Sequence, residues 1–382
     1  MNPKIWLSSP HMGGAEIKYI QDAFDQNWIA PLGPDVNGFE NDLERFLGGD
    51  IQVTALSSGT SALHLALMMS DIGPDDEVFC QTMTFCASAN PIIYVGAKPV
   101  FIDSEADTWN MCPNVLRAAL EDRVSKKNKL PKAVIAVHLY GMPARMNEIK
   151  GICAEYDVKL LEDAAEALGS TYKNQKCGTF GDLAILSFNG NKIITTSGGG
   201  ALVTKSAAEK KRAIFLSTQA RDHAPHYEHS EIGYNYRLSN ISAGIGRGQM
   251  EVLDERVEAR RANHRFYSEL FSGVDGVEVL TEPNADFFSN HWLSAITINP
   301  ALAGFSREDL RTRFERENIE SRPLWKPMHM QPVFGEAAYF GSDRVAERLF
   351  ANGLCLPSGS NLSHEERERI AEVIIETLDS AS

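Results

Sequence analysis

An alternation of strand-like and helix-like segments between about residue 50 and residue 205 constrains the fold most strongly. Apolar runs such as IQVTALSS and KAVIAVHLYG suit buried strands, whereas SALHLALMMS and MNEIKGICAEYD have helical spacing. The alternation predicts an α/β fold in which a mostly parallel sheet carries helices on both faces. Ligands of such sheets bind beyond the carboxyl ends of the strands. The polar segments SSGT, QTMTF, HLYG, EDAAE and SFNGNK follow apolar runs, so we expect them to meet at one edge of the sheet.

The length of 382 residues favours two domains, because a single core seldom serves so long a chain. We predict a large domain over residues 1–250 and a smaller α+β domain over residues 251–382. Asn240 to Phe271 is expected to form one long helix that bridges them. In the smaller domain, HWLSAITIN is expected to be a strand and SREDLRTRFEREN a helix. The segment SRPLWKPMHMQPVF, residues 321–334, has three prolines and is expected to be a recognition loop.

The net charge of −14 argues against a nucleic-acid or anionic-membrane partner, although a small phosphorylated ligand remains compatible with it. The N-terminus has no signal-peptide pattern. Residues 78–97 form a long uncharged run, but its polar residues and Pro91 oppose a membrane span. Six cysteines show neither CxxC pairing nor metal spacing, as is typical of reduced thiols. These properties predict a soluble, cytoplasmic protein with no metal site.

Lys192 is the first candidate for chemistry, because it stands between the apolar run DLAILSF and a triple glycine, residues 198–200. The glycines suggest unusual backbone angles or a close backbone approach. An amine at that junction would be partly desolvated and therefore a better nucleophile. The alternative is a lysine whose stem packs while its charge reaches water.

Two further signals are weak when taken singly. In SSGTSALHL, Ser58 or Thr60 could simply cap a helix, or the helix start could bind a phosphate. Asp163 follows the strand-like VKLLE and could cap a helix, or it could pair with the protonated ring nitrogen of a pyridine cofactor. A lysine, an acid and a helix start together indicate pyridoxal 5′-phosphate, with Phe85 expected over one face of its ring.

Six motifs in order resemble the DegT/DnrJ/StrS-type nucleotide-sugar aminotransferases over nearly the whole chain. They are GPDVNGFE, SSGTSALHLAL, EDAAEALGS, SFNGNKIITTSGGG, GYNYRLSN and SRPLWKPMH. This family belongs to the fold type I pyridoxal-phosphate-dependent transferases, which are aspartate aminotransferase-like. The resemblance therefore implies an enzyme with pyridoxal phosphate as its cofactor.

The resemblance also implies roles for individual residues. Lys192 is the lysine that holds the cofactor covalently, and Asp163 is the partner of its ring nitrogen. The other implied cofactor contacts are Ser58, Gly59, Thr60, Phe85, Glu166 and Ser187. Asn235, in GYNYR, is expected to reach the phosphate of a neighbouring subunit, which implies a homodimer with shared sites. Arg322, Trp325, Lys326 and His329 are substrate-loop candidates.

Glu166 departs from the commonest family pattern, which has Gln or His three residues after the aspartate. A second carboxylate near the cofactor's phenolic oxygen should be repulsive unless it is protonated or turned toward a donor. The EDAAE motif and the SRPLWKPMH loop resemble members that aminate C4 of 6-deoxy-N-acetylhexosamines. The expected substrates are therefore L-glutamate and a UDP-linked 4-keto-6-deoxy-N-acetylhexosamine, in polysaccharide biosynthesis or a related pathway.

Several alternatives remain open. A 3-keto nucleotide-sugar aminotransferase, with a UDP- or dTDP-linked substrate, is the nearest one. A dehydratase relative is disfavoured, because such enzymes carry His where Lys192 stands. A non-catalytic regulatory relative predicts erosion of Lys192, Asp163 or the phosphate loop, and none is eroded. A nicotinamide oxidoreductase would need a GxGxxG motif, which SSGTSAL is not.

Overall fold

The computed structural model describes residues 2–381. The strands are β1 (Gln52–Leu56), β2 (Glu77–Gln81), β3 (Lys98–Ile102), β4 (Ala133–Val137), β5 (Lys159–Asp163), β6 (Thr171–Tyr172), β7 (Gln175–Lys176), β8 (Leu183–Ser187), β9 (Gly200–Thr204), β10 (Val277–Val279), β11 (Phe287–Phe288), β12 (Ser294–Ile298), β13 (Arg322–Pro323), β14 (Ala338–Phe340) and β15 (Gly353–Leu356). The helices are α1 (Glu16–Asp25), α2 (Pro34–Leu47), α3 (Gly59–Met69), α4 (Asn90–Tyr94), α5 (Pro113–Ser125), α6 (Met146–Glu155), α7 (Ala207–Ser217), α8 (Asn240–Met250), α9 (Leu253–Leu270), α10 (Pro300–Ala303), α11 (Arg307–Arg316), α12 (Val345–Asn352) and α13 (His364–Ala381).

The main sheet has eight strands in the order β1-β9-β8-β5-β4-β2-β3-β14. All neighbouring pairs are parallel except the two that involve β9. Side chains alternate between the faces: Ile135 of β4 packs in the core shared with α3 and α7, and Val134 packs in the core shared with α5 and α6. The α/β fold with a mostly parallel sheet and helices on both faces is confirmed.

A second sheet, β10-β12-β15-β13, is antiparallel throughout and packs against α9, α11 and α13. The predicted strand in HWLSAITIN is β12, and the predicted helix in SREDLRTRFEREN is α11, which Ser306 caps. Two segments cross between the halves of the chain: Ile5 pairs with Ile319, and β14 pairs with β3 of the main sheet. The boundary at residue 250 stays a prediction.

The single helix predicted from Asn240 to Phe271 is wrong in one respect. The chain leaves helical geometry at Val252, whose φ of −117° and ψ of 9° separate α8 from α9. The break lets α8 pack against α1 and α2, whereas α9 continues to β12. In the described part of the chain, no helix combines the length and the apolar character that a membrane crossing needs.

The triple glycine brings β9 against the start of α3. A Cβ on Gly200 would lie 2.3 Å from the Gly59 nitrogen and 2.3 Å from the Ser58 carbonyl carbon. A Cβ on Gly198 would meet no atom within 4 Å. The positive φ in this stretch falls on Ser197, at 72°, and not on the glycines. Of the two readings of the glycines, close backbone approach is therefore correct for Gly200.

We predict that Gly200→Ala lowers the free energy of unfolding by about 1–3 kcal/mol, because its methyl group would push β9 away from α3. Gly198→Ala is the matched control and should change stability by less than about 0.5 kcal/mol. Urea unfolding of the cofactor-free proteins measures both. Equal stability of the two variants would contradict the packing described for Gly200.

Candidate active site

A cavity of about 440 Å³ lies at the carboxyl ends of β1, β2, β4, β5 and β8, between the main sheet and the second sheet. Four of the five polar segments predicted to meet at this edge line the cavity, and the fifth, HLYG, lies behind it, where the Tyr140 N–H donates to Glu166. The cavity is lined by Ser58, Gly59, Thr60, Phe85, Asp163, Glu166, Ser187, Lys192, Arg322 and Trp325, among others.

Lys192 places its amine inside this cavity. The Nζ atom lies 3.2 Å from Oε1 of Glu166 and 4.1 Å from the centre of the Trp292 ring. The side chain is only 12% exposed, which disfavours the alternative of a lysine whose charge reaches water. A carboxylate and an aromatic face both stabilise an ammonium in a cavity of low polarity.

Glu166 is buried, and its carboxylate is turned toward donors. Oε1 faces the Lys192 amine, and Oε2 accepts a 2.7 Å hydrogen bond from the Tyr140 N–H. Burial raises the pKa of Glu166, and nearby Asp163 adds to that effect, while Lys192 and the Tyr140 N–H oppose it. Of the two conditions expected to relieve repulsion from the cofactor's phenolic oxygen, the structure shows a carboxylate turned toward donors.

Asp163 ends β5 between Val137 of β4 and Ile185 of β8. Its Oδ2 accepts a 2.7 Å hydrogen bond from the Ser88 hydroxyl, and its Oδ1 accepts one of 3.1 Å from the Ala165 N–H. The residues that follow form a turn rather than an α-helix. The alternative of a helix cap is therefore wrong, and the carboxylate stands at the cavity with a hydroxyl that fixes its orientation.

Ser58 does cap α3, because its Oγ accepts a 3.0 Å hydrogen bond from the Ser61 N–H. Within residues 2–381, the N–H groups of Gly59 and Thr60 have no acceptor. Both residues line the cavity, as does Ser187 at the end of β8. The cap and the anion site are thus compatible: Ser58 supplies the first, and the free amides of the next two residues can serve the second.

Three aromatic side chains line the cavity, Phe85, Trp292 and Trp325, and a fourth, Tyr140, lies behind them. The Trp325 ring centre lies 5.5 Å from that of Phe85, 4.9 Å from that of Tyr140 and 6.2 Å from that of Trp292. Phe85 is 52% exposed, so one side of this wall is open. Arg322 also lines the cavity, and its guanidinium pairs at 2.7 Å with Glu320, which borders the adjoining recess.

Three predicted site residues do not line the cavity. Lys326 borders an adjoining recess of about 480 Å³, which it shares with Arg322 and Trp325. The His329 ring stacks on Tyr339 at 3.8 Å, and its Nδ1 lies 2.7 Å from the Thr82 hydroxyl, so it anchors the loop to the main sheet.

Asn235 is the third of these residues, and it is exposed on the surface. The following helix, α8, is capped by Ser239, whose hydroxyl accepts a hydrogen bond from the Ser242 N–H. The alternative in which Asn235 caps that helix is therefore wrong. No contact of Asn235 with the cavity of its own chain is present among the described residues.

Sequence reasoning missed Ser88, Tyr140 and Trp292. Ser88 stands in a run of small and apolar residues. Because a hydroxyl in such a run needs a hydrogen-bond partner once it is buried, it could have been recognised as a candidate contact of the site. Trp292 was assigned to a strand, but it precedes β12, and its Nε1 donates to the Asn191 carbonyl at 2.7 Å. No local pattern could show that its ring lies against Lys192, because the two residues are 100 positions apart in the sequence.

The chain matches the model of the DegT/DnrJ/EryC1/StrS aminotransferase family over residues 10–375. It belongs to this family.

Among curated relatives, the putative pyridoxal phosphate-dependent aminotransferase EpsN of Bacillus subtilis (strain 168) is 52% identical, covering 98% of this chain and 96% of EpsN. GDP-perosamine synthase of Escherichia coli O157:H7 is 36% identical and covers 96% of each chain. Among solved structures, the PLP-form of the putative sugar aminotransferase Spr1654 from Streptococcus pneumoniae has a TM-score of 0.90 at 25% identity, covering 100% of both chains. The chain is thus a pyridoxal-phosphate-dependent nucleotide-sugar aminotransferase with the fold of the type I enzymes.

The residues of the DegT-family site fit pyridoxal phosphate. Two unpaired amides at a helix N-terminus suit its phosphate, a buried carboxylate suits its ring N–H, and the Lys192 amine suits its aldehyde. Gly198 lines the cavity and leaves open space beside it.

One group of described side chains is close enough together to hold a metal ion, namely His138, Glu162 and Cys177. Both oxygens of Glu162 are already occupied: three backbone N–H groups of the 178–181 turn and the His138 ring donate to them. The group is therefore a satisfied hydrogen-bond cluster beneath the active site.

The raised pKa of Glu166 predicts a specific dependence of stability on pH. Folding raises this pKa above its usual value of 4.5, so the folded state binds the proton more tightly than the unfolded state. The contribution of Glu166 is then fully present below pH 4.5 and is lost as the pH rises through the folded-state pKa. The stability of the wild type should fall relative to that of Glu166→Gln as the pH rises above 4.5.

Urea unfolding of the cofactor-free proteins at several pH values checks this dependence. Glu121→Gln, at an exposed position of α5, removes the same charge elsewhere and serves as the control. Parallel stability curves for the wild type and Glu166→Gln would show that burial does not disfavour this carboxylate.

Proposed function

We propose that the protein transfers the amino group of L-glutamate to the C4 ketone of a UDP-linked 4-keto-6-deoxy-N-acetylhexosamine. The observation that carries the proposal is the single cavity that gathers the Lys192 amine, the Asp163 carboxylate and the unpaired amides of α3. That set of groups serves transamination. The choice of sugar rests on the EDAAE motif and on the loop around Trp325.

Each residue of the site has a task in the proposed reaction. When bound, pyridoxal phosphate supplies an aldehyde that accepts the amino group and a ring that takes up negative charge from the neighbouring carbon. The N–H groups of Gly59 and Thr60 would hold its phosphate, and Asp163 would keep its ring nitrogen protonated. Ser88 restricts the Asp163 carboxylate to one orientation by its 2.7 Å hydrogen bond.

Lys192 is the base of the proposed mechanism. Its Nζ takes the proton from the α-carbon of glutamate and delivers a proton to C4 of the sugar in the second half-reaction. Glu166 at 3.2 Å and the Trp292 ring at 4.1 Å limit the positions that the amine can occupy. Such pre-positioning reduces the entropy that the proton transfer would otherwise cost.

The cavity wall supports a nucleotide sugar as the amino acceptor. Leu293, Trp325 and Cys355 provide apolar surface for the deoxy carbon and the acetamido methyl group. Lys326 and Arg322 border the adjoining recess, and a bound diphosphate would compete with Glu320 for the Arg322 guanidinium.

A 3-keto sugar is the alternative acceptor, because the same base and wall could serve a neighbouring ring carbon. A different nucleotide is a second alternative, since the relative from Escherichia coli O157:H7 is a GDP-perosamine synthase. The two alternatives change the sugar position or the nucleotide but leave the tasks of Lys192 and Asp163 unchanged.

We predict that the purified holoenzyme aminates the UDP-linked 4-keto substrate with glutamate faster than the 3-keto, GDP-linked or dTDP-linked compounds. Product analysis by NMR identifies the aminated carbon.

Lys192→Ala should abolish turnover, since loss of the proton transfer alone costs about 10²- to 10⁴-fold. Lys211→Ala, on the exposed side of α7, is the control. Preference for the 3-keto compound would establish the alternative, and turnover by Lys192→Ala would refute the assignment of the base.

We also propose a homodimer in which Asn235 completes the site of the neighbouring subunit. The exposed residue stands between Tyr234 and Tyr236, whose rings pack against His64, and Tyr94 contacts the other side of the same cluster through His64. Large exposed side chains include Tyr94 beside His64, its chain neighbour Ile93, and Phe85, which lines the cavity. A second copy of the chain would cover such surface.

Subunit exchange tests the shared site. We predict that inactive Lys192→Ala and weakly active Asn235→Ala homodimers regain activity after mixing under mild denaturation. If Asn235 acts across the interface, each heterodimer has one site with both changes and one site with neither. If it acts within its own chain, every site keeps one change. Heterodimers confirmed by native mass spectrometry that gain no activity would contradict the shared site.

A further inference from the structure

We propose that Tyr140 is a positioning residue that couples the loop of residues 321–334 to the Lys192–Glu166 pair. This inference rests on the proposed function, because it assigns the loop to the sugar substrate. Tyr140 itself does not line the cavity but lies behind it, fully buried. It contacts both the loop and the carboxylate that holds the base.

Tyr140 reaches the two sides of the site through different groups. Its backbone N–H donates a 2.7 Å hydrogen bond to Oε2 of Glu166, whose other oxygen faces Lys192. Its hydroxyl oxygen accepts a 2.9 Å hydrogen bond from the backbone N–H of Trp325, and the two rings are 4.9 Å apart. One residue therefore connects the backbone of the loop to the ion pair.

The backbone around Tyr140 is held in an uncommon conformation. Tyr140 has a φ of 55°, which is rare and costly for an aromatic residue, and Gly141 follows with a φ of 94°. A Cβ on Gly141 would lie 1.9 Å from Oδ1 of Asn290, so only glycine fits there. Ser170 donates to the Gly141 carbonyl at 2.7 Å. Strained backbone fixed from several sides is typical of functional sites.

The two contacts of Tyr140 can be separated by mutation, because one uses its side chain and the other its backbone. The loop is held near Tyr140 by one hydrogen bond to a side-chain hydroxyl, whereas Glu166 is held by a backbone N–H. A substitution that removes only the hydroxyl therefore loosens the loop and keeps the donor for Glu166. The expected result is a larger effect on the half-reaction with the sugar than on that with glutamate.

Tyr140→Phe is the variant, and Tyr267→Phe is its matched control. Tyr267 is also fully buried, and its hydroxyl donates to the Pro357 carbonyl at 2.7 Å, away from the cavity. Stopped-flow absorbance of the cofactor measures each half-reaction separately. Hydrogen exchange of the 321–334 peptide in the cofactor-free protein measures the loop without any turnover.

We expect Tyr140→Phe to raise the KM for the ketosugar by about three- to tenfold, the range for one lost hydrogen bond, and to change the glutamate half-reaction far less. Exchange in the 321–334 peptide should become faster in this variant and not in Tyr267→Phe. Equal effects on both half-reactions, or a KM unchanged from the wild type, would overturn the coupling. So would an unchanged exchange rate in the loop.

The exchange measurement separates failure of this inference from failure of the proposed function. If the wild type aminates no 4-keto sugar, the proposed substrate is wrong, and the exchange of the loop alone decides the role of Tyr140. If the wild type turns over normally and the loop exchanges at the same rate in Tyr140→Phe, Tyr140 has only a packing role.

Discussion

The architecture of the site depends on two neighbouring carboxylates at the end of β5. Consecutive side chains of a strand point to opposite faces, so Glu162 and Asp163 serve different surroundings. Glu162 receives hydrogen bonds from His138 and from three amides of the 178–181 turn, and it is completely buried. Asp163 has two donors, the Ser88 hydroxyl and the Ala165 N–H, and borders the cavity. Glu162 thus connects the His138 segment to the 178–181 turn, whereas the Asp163 carboxylate remains accessible from the cavity.

Lys192 contacts two kinds of side chain, the carboxylate of Glu166 and the aromatic ring of Trp292. A buried carboxylate attracts the ammonium of Lys192, and the face of Trp292 stabilises the same charge from a different part of the chain. Glu166 would be costly to bury alone, as the direction of its pKa shows, and Lys192 and the Tyr140 N–H reduce that cost. The ammonium of Lys192 and the carboxylate of Glu166 therefore stabilise each other.

The sequence predicts the parts of the site that local patterns encode. The alternating segments indicate the parallel sheet, and Lys192, Asp163 and the start of α3 meet at its edge as expected. Contacts between distant segments could not be predicted in this way: Trp292 beside Lys192, and the Tyr140 hydroxyl on Trp325. The break at Val252 was missed because both helices continue the same polar pattern, and the packing of α8 on α1 and α2 decides where the first helix ends.

The segment of residues 324–337 connects the two sheets. It leaves β13 of the second sheet and ends at β14, the edge strand of the main sheet, with the Met328 N–H bound to the Thr82 carbonyl between them. Both anchors are backbone pairings, which tolerate exchange of the side chains in the interval. Residues 324–337 thus form a segment with fixed ends, which could be exchanged between family members without disturbing either sheet.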